Sequence, residues 1–220
     1  LIVPGSDAES DDDYRERIQE KIAGPAENGN RQHYKTWCES VPGVGRARII
    51  PLFAGENTVM GVIIGTDGTP AAKAVVDQVQ EYVDPITLNK TVTVDGKTYT
   101  VGDGLGDGEA NIGAHFAAVA PASVPINISF TAELKSGSTA EQIKAEAEDA
   151  VTAYLKGLAL NTPERQTVIV RVSAISSILY GLPGLLDYTG LTLNGETANI
   201  ELTNMQIAVL GEVAVNATVR

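Results

Sequence analysis

A single cysteine, Cys38, in 220 residues excludes an internal disulfide and a thiolate metal cluster, and fits a reducing compartment. Cys38 lies in a helical pattern beside Trp37, where it reads as a small buried apolar residue. Positive charge is also scarce: 16 Lys and Arg stand against 28 Asp and Glu, for a formal charge of -12. That balance repels phosphate backbones and anionic membranes. The longest basic clusters, Arg15/Arg17 and Arg46/Arg48, are interleaved with acidic or apolar residues, so neither nucleic acid nor a membrane is an expected partner. No apolar run reaches the length of a membrane span, and no signal-peptide pattern opens the chain. Aromatic residues are only 5% of the sequence, so the cores must be built from Val, Ile, Leu and Ala. Hydrophobic residues are nonetheless 43%, too many for a disordered chain, and the length suits two domains.

The same scarcity bears on chemistry. Nucleophilic catalysis needs a base within reach of Ser, Thr or Cys, and the chain has two histidines, His33 and His115. His33 and Cys38 are five apart and do not share a helix face, while His115 opens an apolar strand. No Gly-x-Ser-x-Gly elbow is present. Asp103, Asp107 and Glu109 sit in a glycine-rich loop that could offer oxygens to a calcium ion, without EF-hand spacing; the bland alternative is a solvated turn. The stretch GDGLGDG lacks the Lys-Ser/Thr pair and following helix of a phosphate cradle. Metal binding, cofactor binding and catalysis are therefore not expected.

Along the chain, Ser10 precedes Asp11, Asp12 and Asp13, and Tyr14, Ile18 and Ile22 recur at helical spacing until Gly24-Pro25, which predicts a capped helix. A second helix runs from about Asn30 to Val41 with Tyr34, Trp37, Cys38 and Val41 on one face. Arg46 to Phe53 and Thr58 to Gly65 predict a β-hairpin, followed by a helix with Ala72, Val75, Val76, Val79, Tyr82 and Val83 inward and a stop at Asp84-Pro85. The alternation TVTVDGKTYTV predicts a hairpin around Asp95-Gly96, and His115 to Ala120 a strand. Pro121 and Pro125 mark the crossing into a second half. There Ile126 to Leu134 alternates as a half-buried strand. Ser138-Thr139 caps a helix from Ala140 to Leu158, with Ile143, Ala147, Ala150, Val151, Tyr154 and Leu155 inward. Thr167 to Val172, Ala174 to Tyr180, Leu185 to Leu193 and Gln206 to Ala217 complete an order β-α-β-α-β-β. The fold class is α+β, with two domains, each a small mixed or antiparallel sheet covered by helices. The expected boundaries are 1–85 plus 115–121, a projecting hairpin and glycine-rich insertion at 86–114, and 122–220.

Taken alone, the residues describe a binding or structural component. A carbohydrate- or ion-binding module would need an exposed aromatic platform, and an unrecognised hydrolase would need a pocket gathering a histidine with carboxylates.

Five segments in fixed order add to this: PGSDAESDDDYRERI at 4 to 18, YKTWCESVPGVGRARI at 34 to 49, GEANIGAHFAAVAP at 108 to 121, LYGLPGLLDYTGLTLNG at 179 to 195 and QIAVLGEV at 206 to 213. Together they resemble the baseplate J-like family of contractile phage tails. The residues carrying the resemblance are Gly5, Ser6, Asp7 and Arg17; Trp37, Pro42, Gly43 and Val44; Gly108 and Gly113; Pro183 and Gly184; and Leu210 and Gly211. Asn111 stands where the family pattern has proline. The resemblance implies a structural wedge component of a phage, prophage or bacteriocin baseplate, assembled in the host cytoplasm. It implies self-association in a ring and contacts with other wedge and hub proteins, and no cofactor or catalytic residue. Because the chain starts at Leu1, it also implies a further N-terminal region ahead of the Gly-Ser-Asp motif.

Overall fold

The computed structural model describes residues 29–163 and 166–219. The expected helix over 10–22 and the motif residues Gly5, Ser6, Asp7 and Arg17 lie outside them.

Helix α1, Arg31–Ser40, starts where the Asn30 side chain accepts a hydrogen bond from the His33 amide at 2.8 Å, satisfying one of the orphan donors of the first turn. Tyr34, Trp37 and Cys38 are buried along one face as their spacing predicts, and Lys35 is buried beside them. Pro42-Gly43 then turns the chain into β1, Val44–Pro51, with Gly43 at φ 95, a conformation that favours glycine. β1 pairs antiparallel with β2, Thr58–Gly65, from Val44 opposite Gly65 to Pro51 opposite Val59. β2 is also the parallel partner of β5, His115–Val119, so it lies mid-sheet and is buried almost throughout. Parallel pairing requires a crossover, which α2, Lys73–Val83, supplies.

The face of α2 differs from the expected stripe. Val79, Gln80 and Val83 are buried, whereas Tyr82 is 41% exposed and Ala72 is exposed at the N-cap. The helix is turned so that polar Gln80 meets the edge of β5.

The second half is organised by β6, Ala122–Leu134, which lies between β10, Gln206–Val219, and β8, Leu185–Leu193. β10 runs parallel and β8 antiparallel to it, so the sheet is mixed. Ile126, Ile128, Phe130, Ala132 and Leu134 all point inward at 4% exposure or less. The strand begins earlier than expected and contains Pro125. β8 pairs only from Ile128 onward, so at Pro125 one side of the strand carries no ladder and a missing N–H is tolerated.

Helix α3, Ala140–Asn161, opens with a reciprocal cap: the Thr139 hydroxyl accepts from the Gln142 amide at 3.3 Å, and the Gln142 side-chain oxygen from the Thr139 amide at 3.0 Å. Its Ile143, Ala147, Val151, Leu155 and Ala159 are buried, and the helix runs three residues past the expected end at Leu158. β7, Val168–Val170, pairs with β9, Ile200–Leu202, a strand the sequence pattern does not announce. α4, Val172–Tyr180, packs on β8. The architecture is α+β.

Two buried clusters correspond to the two halves. Tyr34, Trp37, Ile63, Val79 and Phe116 belong to the first, and Ile128, Phe130, Val151, Ile175 and Leu193 to the second. A small third cluster of Ile64, Ala159 and Ile207 joins them. Among the described residues no helix is long and apolar enough to cross a membrane.

Candidate assembly surfaces

The segment 86–114 is two different things. β3, Thr91–Val94, and β4, Lys97–Thr100, form a largely exposed hairpin. Asp95 and Gly96 carry the positive φ values, 50 and 76, that a two-residue turn with matching twist requires. The hairpin is tethered where the Tyr99 ring meets Phe53 edge-on at 5.7 Å and the Val101 amide donates to the Lys90 carbonyl at 2.9 Å.

The glycine-rich half departs from the expected projecting loop. Val101, Gly102, Asp103, Gly104 and Ala110 are buried, folded back over the end of α2. The cause is Asp84, which is 2% exposed. Its carboxylate accepts from the Gly104 amide at 3.0 Å and from the Phe116 amide at 2.9 Å, and a Cβ on Gly102 would occupy the space of that carboxylate. Burial raises the Asp84 pKa, against the two amide hydrogen bonds. Gln80 works beside it: its amide nitrogen donates to the carbonyls of Asp84 and Phe116 at 2.6 and 3.0 Å, and its oxygen accepts from the Ala118 amide at 2.8 Å. The outer edge of β5 is thus closed by two polar side chains, Gln80 of α2 and Asp84 at its C-cap. In the sequence, Asp84 reads only as a helix stop, and Gln80 is hidden in an apolar stripe.

The three residues weighed for a metal ion do not form a site. Asp103 Oδ2 accepts from the Thr87 amide and hydroxyl at 2.7 and 2.6 Å, and Oδ1 from the Leu88 amide at 3.1 Å, so this carboxylate holds a turn. Asp107 and Glu109 are exposed. Among the described residues no group of three or more His, Cys, Asp or Glu is placed to hold a metal ion. Hydrogen bonding from the Thr87 hydroxyl lowers the Asp103 pKa below its ordinary 3.8. The folded state therefore binds this proton less readily than the unfolded chain. Its contribution is present above pH 3.8 and is lost as pH falls through the lower, folded value. In melts from pH 5 downward, wild type is expected to lose more stability than Asp103→Asn; parallel curves would remove Asp103 as a source of acid sensitivity.

The candidate nucleophile fares no better. Cys38 is 0% exposed, and burial pushes its thiol far up. His33 stacks on Trp37, with ring centroids 3.9 Å apart, and its Nδ1 accepts from the Gly29 amide. His115 places Nδ1 2.9 Å from the Gly102 carbonyl, which can only accept, so Nδ1 carries the proton and Nε2 accepts from the Lys90 ammonium at 2.7 Å. These contacts hold the loop and hairpin base.

The remaining motif residues mark chain junctions. Trp37 and Val44 are buried in the first cluster; Pro42 and Gly43 are exposed in the turn between α1 and β1. Gly108 lies against the Val83 carbonyl, where a Cβ would come within 2.6 Å. Gly113 is exposed at φ 88. Pro183 and Gly184 dock on the turn that follows β6: the Lys135 ammonium donates to the Pro183 carbonyl at 2.6 Å, and the Lys135 amide to the Gly184 carbonyl at 3.0 Å. Leu210 packs against the second cluster, and Gly211 sits where the β10 register shifts. There Asn127 Oδ1 accepts from the Glu212 amide at 2.9 Å and fills the space a Cβ on Gly211 would need.

With this geometry in view, two sequence families match in tandem. Residues 26–120 match the baseplate J-like central domain, and residues 126–216 the baseplate J-like protein C-terminal domain. The phage-like element PBSX protein XkdT of Bacillus subtilis (strain 168) is 30% identical over 215 residues, 98% of this chain and 56% of the relative. YqbT of the same organism is 30% identical over 213 residues, 97% of this chain and 55% of the relative. The chain thus spans about half the length of the curated relatives it matches. A chain of the anti-feeding prophage baseplate, solved by cryo-electron microscopy with 6-fold symmetrisation, has the same fold at a TM-score of 0.53. Its sequence identity is 10%, and the match covers 94% of this chain and 42% of that one. The tandem match and the 30% identity to XkdT agree with the motif resemblance, and the chain belongs to the baseplate J-like family.

Proposed function

We propose that this chain is a structural part of a contractile tail baseplate, of a phage, prophage or bacteriocin, that builds the wedge ring through protein–protein contacts and catalyses no reaction. The observation that carries this is the tandem match to the central and C-terminal baseplate J-like domains over 26–120 and 126–216. Ring building asks for extended contact surfaces and closed symmetry, not for a reactive pocket. Copies of the chain associate with one another and with other wedge and hub proteins, after assembly in the host cytoplasm. The units are 1–85 with 115–121, the insertion 86–114, and 122–220. Within the insertion, the exposed hairpin Thr91–Thr100 is the contact element, because the glycine-rich half is occupied with Asp84.

The experiment is co-expression with the products of adjacent genes, purification, and mass determination of the complex. A stoichiometric complex with small tail proteins is the expected result; a chain that stays alone beside metabolic enzymes would sink the reading. Replacing Thr91–Thr100 by a short glycine linker leaves the Asp84 and Gln80 hydrogen bonds in place and removes, of the packing contacts described above, the half-buried Tyr99 ring on Phe53. The variant is expected to keep its wild-type melting behaviour and lose most of the complex. Unchanged complex formation would assign the contact to another surface.

A further inference from the structure

At the seam between the halves, Arg31 of α1 and Arg46 and Arg48 of β1 line one cleft of about 240 Å³, together with Thr162, Gln166 and Asn204. Arg46 and Arg48 are two residues apart on a strand, so their side chains share the face opposite the buried Ala47 and Ile49. The alternation that makes Arg-Ala-Arg look interrupted in sequence concentrates its charge in space. Arg48 Nη1 donates to the carbonyls of Gln206 and Asn204 at 2.9 and 3.5 Å, while Nη2 is buried without a hydrogen-bond partner. Neither Arg31 nor Arg48 has a carboxylate within ion-pair distance among the described residues. Glu39 lies 3.9 Å from Arg46 and 3.8 Å from Lys35. Among the described residues, Arg31 and Arg48 thus place positive charge without a paired carboxylate on the wall of one cleft, in a chain whose formal charge is -12. Burial and then the neighbouring Arg46 lower the Arg48 pKa.

We propose that this arginine cleft receives a carboxylate from an adjoining protein chain, an acidic side chain that enters between the halves and pairs with Arg31 and Arg48. The guanidinium fork matches a carboxylate in two parallel hydrogen bonds, which Arg31 can offer, while Arg48 adds its charge from the cleft wall. A long polyanion would be repelled by a chain of formal charge -12, whereas a short acidic segment of a protein partner meets the local positive field of the cleft. The inference rests on the assembly reading, since it names the chemistry of one of the contacts that reading requires.

The test is calorimetric titration of the purified chain at low salt with a short oligoglutamate peptide, with the matching oligoglutamine peptide and inorganic phosphate as comparators. Saturable binding of the glutamate peptide alone is expected, weakened about tenfold by Arg48→Gln, less by Arg48→Lys, and suppressed by raised salt. Arg48 also ties the seam, so Arg31→Gln is the second variant: it is expected to weaken the peptide while leaving the melting temperature in place. Tighter binding of phosphate would overturn the proposal in favour of a phosphate-bearing ligand. Absence of peptide binding, or binding indifferent to both substitutions, would overturn it outright. Because the titration uses the isolated chain, peptide binding without a co-purified complex would count against the assembly reading alone.

Discussion

Phe130→Ala is expected to cost about 3–5 kcal/mol of folding stability, the range for a large aromatic removed from a core that cannot collapse around the void. Phe130 is 1% exposed on β6, the central strand, which is paired along β10 on one side and β8 on the other. Its ring meets Tyr188 edge-on at 6.1 Å. With ladders on both sides and α3 packed in the same cluster, the backbone around Phe130 has little freedom to move inward. Circular dichroism during denaturant unfolding reads the whole loss. Trp37, the single tryptophan, lies in the other cluster, so its fluorescence reads the first half separately. Among the described residues, the two halves meet through the small cluster of Ile64, Ala159 and Ile207, the approach of Gly68 to Lys156, and the Arg48 ties to Asn204 and Gln206, a seam much smaller than either core. The Trp37 midpoint is therefore expected to move less than the dichroism midpoint. A loss below about 1.5 kcal/mol would show that the second half does not depend on this side chain in the way its burial implies.

What the sequence disclosed and what it hid follow from how far each interaction reaches. The alternation from Ile126 to Leu134 and the Thr139/Gln142 cap are local, and both appear where the pattern puts them. The Val-Pro-Gly-Val and Leu-Pro-Gly-Leu turns likewise lead from helix to strand at 41–44 and 182–185. β9 is hidden because three residues, Ile200–Leu202, carry too little periodicity to stand out, and only β7 makes them a strand. The parallel pairings of β2 with β5 and of β10 with β6 join segments far apart in sequence, with no local signal. The candidate sites fail or emerge for the same reason. Asp103, Asp107 and Glu109 look like a cluster in sequence, but the first is drawn inward by Thr87 and Leu88 while the others stay in solvent. Arg31, Arg46 and Arg48 look scattered and converge. Tyr82 looks like core and is exposed, because α2 turns Gln80 toward β5 instead.

That rotation of α2 leads to the second large effect. In Asp84→Ala, the buried amides of Gly104 and Phe116 lose the carboxylate that accepts from them. Each stranded donor costs about 1–3 kcal/mol, but the substitution also removes a carboxylate whose burial is unfavourable, so the net loss at neutral pH is expected to be about 2–4 kcal/mol. The pH dependence has a definite sign. The folded-state pKa of Asp84 is raised by burial, so the folded chain binds this proton more readily than the unfolded chain. The side chain's contribution is then largest below its ordinary pKa of 3.8 and diminishes as pH rises through the folded value. The gap between wild type and Asp84→Ala is thus expected to widen on acidification, opposite to the trend for Asp103→Asn. Denaturant melts of the three proteins across the acid range separate the two, and a gap that narrows for Asp84→Ala would refute the burial argument. Adding Gln80→Ala also strips the Ala118 amide and part of the Phe116 carbonyl of their partners, leaving β5 as an unguarded strand edge. The double variant is expected to scatter light with a concentration dependence absent from wild type. If it stays as well dispersed as wild type, the glycine-rich loop alone shields the edge, and Gln80 serves only to anchor α2.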